Sequence, residues 1–349
     1  MDDNMRKGVR VAVTGATGML GSHIVAELVR SGYADITLVV HNADRMNGVY
    51  DTMRRLGVSV PSAGFRIVET GLDGDYSEGL PAADLVFNCA ARIMSGDMTR
   101  EELVAHNVTV AQNVARWCLE RGVGKLVHIS SISALGEPEF GDTVDERCEA
   151  HDVSHYAAYG QSKYYSEREI WSAADKGLHV VVLAPGVILG EGTGGNNSSA
   201  LVPAMSSGIP FYTDGLMSYV DVRDVARAAV LLARCPEADG RKFILSAGDL
   251  SYRELFTMGA HAAGRPVPFV RVGRGAVNAA YGLMRTGIAL RLIKDRGVGR
   301  DNLGSVLRRT RYDGSAVTRI CGFSYTPLEE TVDRVVKYYR CGRKSRKNR

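Results

Sequence analysis

The sequence predicts an α/β protein: a doubly wound parallel sheet with a smaller, discontinuous C-terminal domain. Short strand signals that are apolar throughout alternate with longer helical signals over the first half of the chain, a pattern typical of a parallel sheet covered on both faces. Of the 349 residues, 45% are apolar and 23% are charged, as in ordinary globular proteins. The length corresponds to about two domains and allows a sizeable core.

Each element of the first domain has its own signal. The predicted strands cover residues 9–14, 36–40, 65–68, 85–87, 125–129, 179–183 and 243–245. The predicted helices cover residues 19–31, 99–121 and 156–176, and each is followed directly by a glycine, which commonly ends a helix. Right-handed crossovers between such strands produce the doubly wound arrangement.

The regular alternation ends after Pro185. Residues 190–199 form a loop rich in Gly, Asn and Ser, residues 219–232 are predicted as a strand edge followed by a helix, and the remainder is mostly helical or irregular. We therefore assign residues 1–185 and 219–247 to the first domain, and residues 186–218 and 248–340 to the second. Residues 341–349 are a basic tail, interpreted as a solvated terminus rather than a binding segment for RNA or an anionic membrane.

Charge, cysteine spacing and hydropathy argue against several classes of protein. The net charge is only +4 and its basic excess lies largely near the C-terminus, so we expect no nucleic acid partner. The six cysteines form no CxxC pair and no His cluster accompanies them, which argues against a metal site or a disulfide scaffold. The N-terminus lacks the apolar stretch of a secretory signal, which favours a cytoplasmic protein.

Stable membrane insertion is also not expected, because no apolar run reaches the length of a membrane span. The nearest stretch covers residues 276–293 and is interrupted by Arg285 and Arg291. We predict a helix of the second domain there, with an interfacial amphipathic helix as the alternative.

A glycine-rich turn lies between the first strand and the first helix. Residues 14–21 read TGATGMLG, with glycines in the spacing GxxGxxG. The first glycine allows a sharp turn, the second allows close approach of a pyrophosphate, and the third lets the helix pack near the sheet. The helix N-terminus then offers free N–H groups to phosphate oxygens. We predict that this turn binds a dinucleotide through Gly15, Ala16, Thr17, Gly18, Met19, Leu20 and Gly21.

The end of the second strand predicts which dinucleotide is bound. An acidic residue at this position favours NAD, because it accepts hydrogen bonds from the ribose 2′-hydroxyl. The chain has His41 there and Arg45 four residues later, and both suit a 2′-phosphate. We therefore expect NADP in preference to NAD, although Asp44 on the following loop is an opposing signal.

Tyr159 and Lys163 form a YxxxK pair, which places them on one face of a helix, one turn apart. A tyrosine has a pKa of about 10, and a nearby cation lowers it. We expect Lys163 and an oxidised nicotinamide to lower the pKa of Tyr159, so that its phenol exchanges a proton with substrate. Ser130 and Ser131 end the fifth strand, where a hydroxyl can polarise the same substrate oxygen. The alternative is an ordinary core tyrosine.

The three motifs, in this order, resemble those of the extended short-chain dehydrogenase/reductase superfamily, also called the NAD-dependent epimerase/dehydratase family. The resemblance runs from Val9 to about Tyr339 and implies a Rossmann fold with a C-terminal substrate domain. Further segments resemble family motifs at residues 88–91 (NCAA), 107–114 (NVTVAQNV), 184–190 (APGVILG) and 219–226 (YVDVRDVA).

The resemblance implies a role for individual residues. Tyr159 corresponds to the catalytic acid/base and Lys163 to its partner. Ser131 corresponds to the catalytic serine, because it stands five residues before Gly136, and Ser130 is the second choice. The cofactor contacts implied outside the turn and the second strand are Leu72, Ala90, Ala91, Asn107, Tyr159, Lys163, Pro185 and Val187.

Some positions depart from the family pattern. Ala184, Leu189 and Leu135 replace an arginine and two tyrosines, and the acidic residue after the third strand is displaced to Asp73, which leaves the adenine contact open. Dehydratases carry an Asp-Glu pair after the catalytic serine, whereas residues 132–135 read ISAL, so we expect no dehydration. Several apolar residues of the second domain either line a pocket for an apolar alcohol or ketone or belong to the core: Ile209, Phe211, Tyr212, Leu216 and Met217.

Fold alone does not choose the reaction. The apolar segments resemble the dihydroflavonol-reductase and 3β-hydroxysteroid-dehydrogenase branch, so our first hypothesis is an NAD(P)-dependent oxidoreductase acting on a small carbonyl or alcohol. The alternative is a sugar-nucleotide 4-epimerase with tightly bound NAD. A dinucleotide sensor without catalysis is disfavoured, because Tyr159 and Lys163 are both present. Helices 99–121 and 156–176 resemble a family four-helix interface, which implies a homodimer.

Overall fold

A seven-stranded parallel sheet forms the centre of the protein in a computed structural model, which describes residues 8–74, 79–94, 98–138, 140–192, 201–279, 282 and 306–347. The strands are β1 (Arg10–Thr14), β2 (Asp35–Val40), β3 (Arg66–Glu69), β4 (Leu85–Asn88), β5 (Lys125–Ile129), β6 (Thr143–Val144), β7 (His179–Pro185), β8 (Val187–Leu189), β9 (Phe211–Tyr212), β10 (Leu216–Asp221), β11 (Arg241–Leu245), β12 (Gly248–Ser251), β13 (Val270–Arg271) and β14 (Arg311–Tyr312). The order across the central sheet is β11-β7-β5-β4-β1-β2-β3, which confirms the predicted doubly wound Rossmann arrangement.

Helices cover the sheet and build the second unit. They are α1 (Met19–Arg30), α2 (Asn47–Arg55), α3 (Arg100–Glu120), α4 (Ala158–Ala174), α5 (Leu201–Met205), α6 (Val222–Ala233), α7 (Tyr252–Ala263), α8 (Ala316–Cys321) and α9 (Leu328–Lys347). Residues 274–279 are also helical. Helix α2 is not among the helices predicted from the sequence; it is short and mostly polar, and its buried residues are Val49, Thr52 and Met53.

Both faces of the sheet are buried, which explains why its strands are apolar throughout. Val11 and Val13 of β1 belong to a core shared with α1, α2 and α6, whereas Ala12 between them belongs to the core shared with α3 and α4. Alternate side chains of a strand point to opposite faces. A strand with both faces buried therefore has apolar residues at every position. It does not show the alternation of apolar and polar residues that is typical of a half-exposed strand.

A smaller sheet, β12-β10-β8, lies in the second unit. Its core is shared with α5, α7 and α9. Residues 219–221, which we assigned to the first domain, pair with β8 and β12 in this sheet. Among the apolar residues considered for a pocket, Met217 is in the core, whereas Phe211 is exposed.

The predicted basic tail overlaps the last helix of the described residues. The tail assigned to residues 341–349 begins inside α9, whose backbone is helical to Lys347. Lengthening an existing helix fixes one residue per hydrogen bond and is far less costly than nucleating a new one. Lysine and arginine are good helix formers that also suit a helix C-terminus.

Three sequence expectations concern absences. Within the described ranges, no helix is long and apolar enough to cross a membrane. No group of three or more potential metal ligands occurs among the same residues. All six cysteines are free thiols. The segment 276–293 lies outside the described residues except for 276–279 and 282.

A buried cluster of charges lies where β8, β10 and α9 of the second unit meet. Arg334 of α9 pairs with Glu191, which follows β8, and with Asp221, which ends β10. The Asp221 carboxylate also accepts hydrogen bonds from the Thr331 hydroxyl at 2.7 Å and from the Arg223 N–H at 2.8 Å. Burial raises the pKa of Asp221 and lowers that of Arg334 to about 10. Both charges are thus desolvated, and each depends on its partners.

We predict that Arg334→Ala lowers the free energy of unfolding by about 3 to 5 kcal/mol, because it leaves buried carboxylates without their cation. The control is Arg54→Ala, which removes an exposed pair with Asp51 and should cost less than about 1 kcal/mol. Urea unfolding of both variants checks this. Equal losses in the two variants would show that the buried cluster stabilises the protein no more than an exposed ion pair does.

Candidate active site

In the turn between β1 and α1, the backbone lies close to the backbone that follows β4 and to that of the first turn of α1. Gly15 has a φ of +64°, and a Cβ there would lie 2.9 Å from the backbone nitrogen of Ala90 at the end of β4. A Cβ on Gly21 would lie 2.2 Å from the carbonyl oxygen of Gly15. The Gly18 N–H donates to that same oxygen at 3.0 Å. Side chains at positions 15 and 21 would therefore open the turn.

The first turn of α1 fits a phosphate. Gly18 is the N-cap, and the described residues supply neither a side-chain cap nor an acidic side chain to this turn. By contrast, α3 and α7 begin with complete capping boxes, Thr99 with Glu102 and Ser251 with Glu254. A helix start without such groups leaves its N–H donors and its partial positive charge to an anion. The residues present therefore fit the pyrophosphate of a dinucleotide.

Polar groups gather where β2, β3 and β4 end. His41 and Arg45 are exposed, as a site for a 2′-phosphate requires. Beside them, the Asp73 carboxylate lies 3.3 Å from His106 Nδ1 and 3.9 Å from the Arg92 guanidinium. Burial and the charge of Arg92 lower the pKa of His106. We did not identify Arg92 and His106 from the sequence, because they lie on a loop and a helix that only the fold brings to β2.

Hydrogen bonds from the Asn107 side chain fix the loop that follows β4. The Asn107 amide accepts from the Arg92 N–H at 2.8 Å and donates to the Arg92 carbonyl at 2.9 Å and to the Ser162 hydroxyl at 2.9 Å. Ser162 in turn donates to the Tyr159 carbonyl at 2.8 Å. Asn107, predicted as a cofactor contact, therefore has its side chain engaged in joining this loop to α4.

The other predicted cofactor contacts lie along the same edge of the sheet. The Ala90 N–H donates to the Thr14 hydroxyl at 3.3 Å, which ties the end of β4 to β1. Leu72 is buried and its carbonyl accepts from Asn113 at 3.0 Å. Three further contacts line the strand ends or the loops that follow them: Ala91 is exposed, Pro185 is buried at the end of β7, and Val187 begins β8.

Tyr159 meets Ser131 where β5 ends. Their side chains form a hydrogen bond, and the Ser131 hydroxyl also accepts from the Ser133 N–H at 3.1 Å. The neighbouring Ser130 hydroxyl instead donates to Glu167 Oε2 at 2.8 Å. The resemblance makes Ser131 the first choice and Ser130 the second, and the geometry brings Ser131 to the tyrosine.

Lys163 is buried directly behind Tyr159. Its Nζ donates to the Ile129 carbonyl at 2.8 Å and lies 5.9 Å from the centre of the Tyr159 ring. Burial lowers the pKa of Lys163 to about 8, against the opposing effects of Cys89 and Glu167. An amine in this position changes charge within the range in which enzymes work.

Burial raises the pKa of Tyr159 to about 12, and the hydrogen bond with Ser131 opposes this only in part. The expectation that Lys163 and an oxidised nicotinamide together lower the pKa of Tyr159 stays a prediction. The ammonium donates to a strand carbonyl and not to the phenol, so the cost of placing a phenolate among buried groups dominates. With its pKa raised in this way, Tyr159 is a protonated phenol near neutral pH.

The model of the NAD-dependent epimerase/dehydratase family matches residues 11–248, a range that contains every site residue described above. The chain belongs to this family. The resemblance identified from the sequence motifs is thereby confirmed, and with it the class of NAD(P)-dependent enzymes.

Relatives of this family member carry two kinds of name. Cinnamoyl-CoA reductase 1 from Arabidopsis thaliana is 31% identical over 252 residues, 67% of this chain and 69% of the relative. UDP-glucose 4-epimerase from Vibrio cholerae is 27% identical over 270 residues, 73% and 76% of the two chains. The yeast methylglyoxal/isovaleraldehyde reductase in complex with NADPH has the same fold, with a TM-score of 0.71 over 94% of this chain and 97% of that one, at 16% identity.

We predict that Gly21→Ala destabilises the protein by roughly 1 to 3 kcal/mol and weakens NADPH binding at least tenfold, because the new Cβ would displace the Gly15 carbonyl. The control is Gly275→Ala, since a Cβ there meets no atom within 4 Å. Thermal unfolding and fluorescence titration with NADPH measure the two effects. Unchanged binding by Gly21→Ala would mean that the turn does not hold the dinucleotide.

Proposed function

We propose that this family member is an oxidoreductase that transfers a hydride between a nicotinamide and the carbonyl or alcohol carbon of a small, apolar substrate. The observation that carries the proposal is the neutral Tyr159 phenol, hydrogen-bonded to Ser131 at the edge of the sheet where the glycine turn opens. A bound dinucleotide would supply the hydride when reduced and accept it when oxidised.

In this proposal the chain's own residues handle the substrate oxygen. Tyr159 donates its proton to the carbonyl oxygen as the hydride reaches carbon, and Ser131 donates a second hydrogen bond to the same oxygen. The high pKa of Tyr159 keeps the proton in place until that oxygen becomes basic. Lys163 then stabilises the phenolate that is left, because a cation nearby favours the charged form.

The dinucleotide would lie along the carboxyl edge of the sheet. The turn from Gly15 to Gly21 would bind the pyrophosphate, and His41 with Arg45 the 2′-phosphate of NADP. Leu72, Ala90 and Ala91 would contact the adenosine, while Pro185 and Val187 would present backbone to the nicotinamide amide. Asn107 would act through the Arg92 loop that it holds.

The relatives support a reductase and leave an epimerase as the second candidate. Similarity to a cinnamoyl-CoA reductase favours net reduction of a carbonyl compound. Similarity to a UDP-glucose 4-epimerase favours a cofactor that is reduced and reoxidised in one cycle. Cofactor that co-purifies with the protein, with no net consumption of NADPH for any carbonyl compound, would decide for the epimerase.

We predict that Tyr159→Phe lowers kcat for NADPH-dependent reduction of apolar aldehydes or ketones by about 10² to 10⁴ fold, the usual contribution of a general acid. The matched control is Tyr165→Phe, on the same helix but exposed, which should keep wild-type rates. Absorbance of NADPH at a fixed pH follows the reaction. A Tyr159→Phe variant as active as wild type would refute Tyr159 as the acid.

For the cofactor we predict that Arg45→Ala weakens NADPH binding by about tenfold, which corresponds to about 1.4 kcal/mol, while NADH binding stays the same. Arg54→Ala is the control, because Arg54 is an exposed arginine on the neighbouring helix α2. Fluorescence titration with each dinucleotide measures this. Equal losses for NADPH and NADH would contradict a 2′-phosphate site at the end of β2.

We also propose a homodimer in which α3 and α4, which pack against each other along their length, meet the same pair of a second copy. Such a four-helix contact is isologous, so each copy contributes the same surface. Light scattering that gives the mass of a single chain over a range of concentrations would contradict it.

A further inference from the structure

Glu167 lies behind the candidate site and is not explained by the proposed reaction. It is on α4, one turn after Lys163, and is only 5% exposed. Its carboxylate accepts from the Ser130 hydroxyl at 2.8 Å and from the Trp171 indole N–H at 3.1 Å. It also pairs with Lys242 of β11. A buried carboxylate with this many partners is fixed in place.

Glu167 is linked to the serine beside Tyr159 through the chain itself. Ser130, which donates its hydroxyl hydrogen bond to Glu167, directly precedes Ser131. The Ser130 N–H donates to the Leu183 carbonyl at 2.7 Å. These two bonds determine how the chain leaves β5. The orientation of Ser131 toward Tyr159 follows from them, because adjacent residues of an extended strand point to opposite sides.

Glu167 is also the charged neighbour of Lys163. Among the described titratable groups that face this amine, Cys89, which directly follows β4, has a pKa raised by burial to about 12, and His128 of β5 has one lowered by burial to about 3. Tyr159 is likewise neutral. Burial lowers the pKa of Lys163, whereas Glu167 raises it. Because Cys89 is protonated near neutral pH, Glu167 is the carboxylate that opposes the effect of burial on Lys163.

We propose that Glu167 is a positioning residue for the Tyr159–Lys163 pair: it orients the end of β5 through Ser130 and keeps Lys163 charged, and Lys242 moderates this effect by partly neutralising the carboxylate. The inference rests on the proposed function for the roles of Tyr159 and Lys163. Glu167 lies two helical turns beyond Tyr159, and in this proposal it helps to set the pH range over which the site works.

The test is the titration of Lys163 in protein labelled with ¹³C at the lysine ε-carbons, with the Lys163 signal assigned from Lys163→Arg. Wild type should titrate near pH 8. Glu167→Gln retains the shape and an acceptor for Ser130 but removes the charge, so the titration should move down by about one pH unit. Lys242→Met removes the opposing cation, so it should move up. Lys176→Met, an exposed lysine at the end of α4, should leave it unchanged.

Opposite shifts in the two variants support the proposal, because a loosened structure would move both titrations in the same direction. Unchanged titration in both, or shifts of the same sign, would overturn it. If Glu167→Gln does not fold, Glu167→Asp takes its place, because the shorter side chain withdraws the carboxylate: a downward shift supports the proposal and none overturns it. The experiment needs neither dinucleotide nor substrate, so its failure is distinguishable from loss of the proposed hydride transfer.

Discussion

The burial of the Lys163 ammonium behind Tyr159 is the constraint on which the candidate site depends. An amine removed from water needs hydrogen-bond acceptors and an opposite charge. The carbonyl of Ile129, the last residue of β5, accepts the hydrogen bond. Glu167, one turn along α4, provides the opposite charge. His128 is kept neutral in the same layer. The position of Tyr159 therefore depends on the packing of α4 against β5 and on the charge of Glu167.

A second constraint is the closeness of backbone at the other end of the site. Gly15 and Gly21 let β1, β4 and α1 approach to distances that a side chain would prevent. The uncapped first turn of α1 follows from the same packing, since Gly18 has no side chain with which to cap it. The candidate phosphate site and the candidate proton donor thus share one sheet edge, at which parallel strands all end in the same direction.

The local part of this arrangement can be predicted from the sequence, and the distant part cannot. The glycine turn, the Tyr159–Lys163 spacing and the central strands depend on residues close together in the chain, and these predictions agree with the structure in position. Ser131 and Ser130 differ only in which side of β5 they face, which needs the fold. The pairing of Glu167 with Lys242, and of Arg334 with Glu191, joins segments that no local pattern relates. Burial also raises the pKa of Tyr159, an effect that the spacing of Tyr159 and Lys163 in the sequence does not reveal.

The central claim is that Tyr159 is held as a neutral acid, and ultraviolet titration tests it most directly. The absorbance of tyrosinate is recorded against pH for wild type and Tyr159→Phe, and the two curves are subtracted. With the pKa of Tyr159 raised to about 12, the difference should stay flat up to about pH 11 and should move to lower pH when NADP⁺ is added. A step centred at or below about pH 10, the value of an unperturbed tyrosine, would contradict the account.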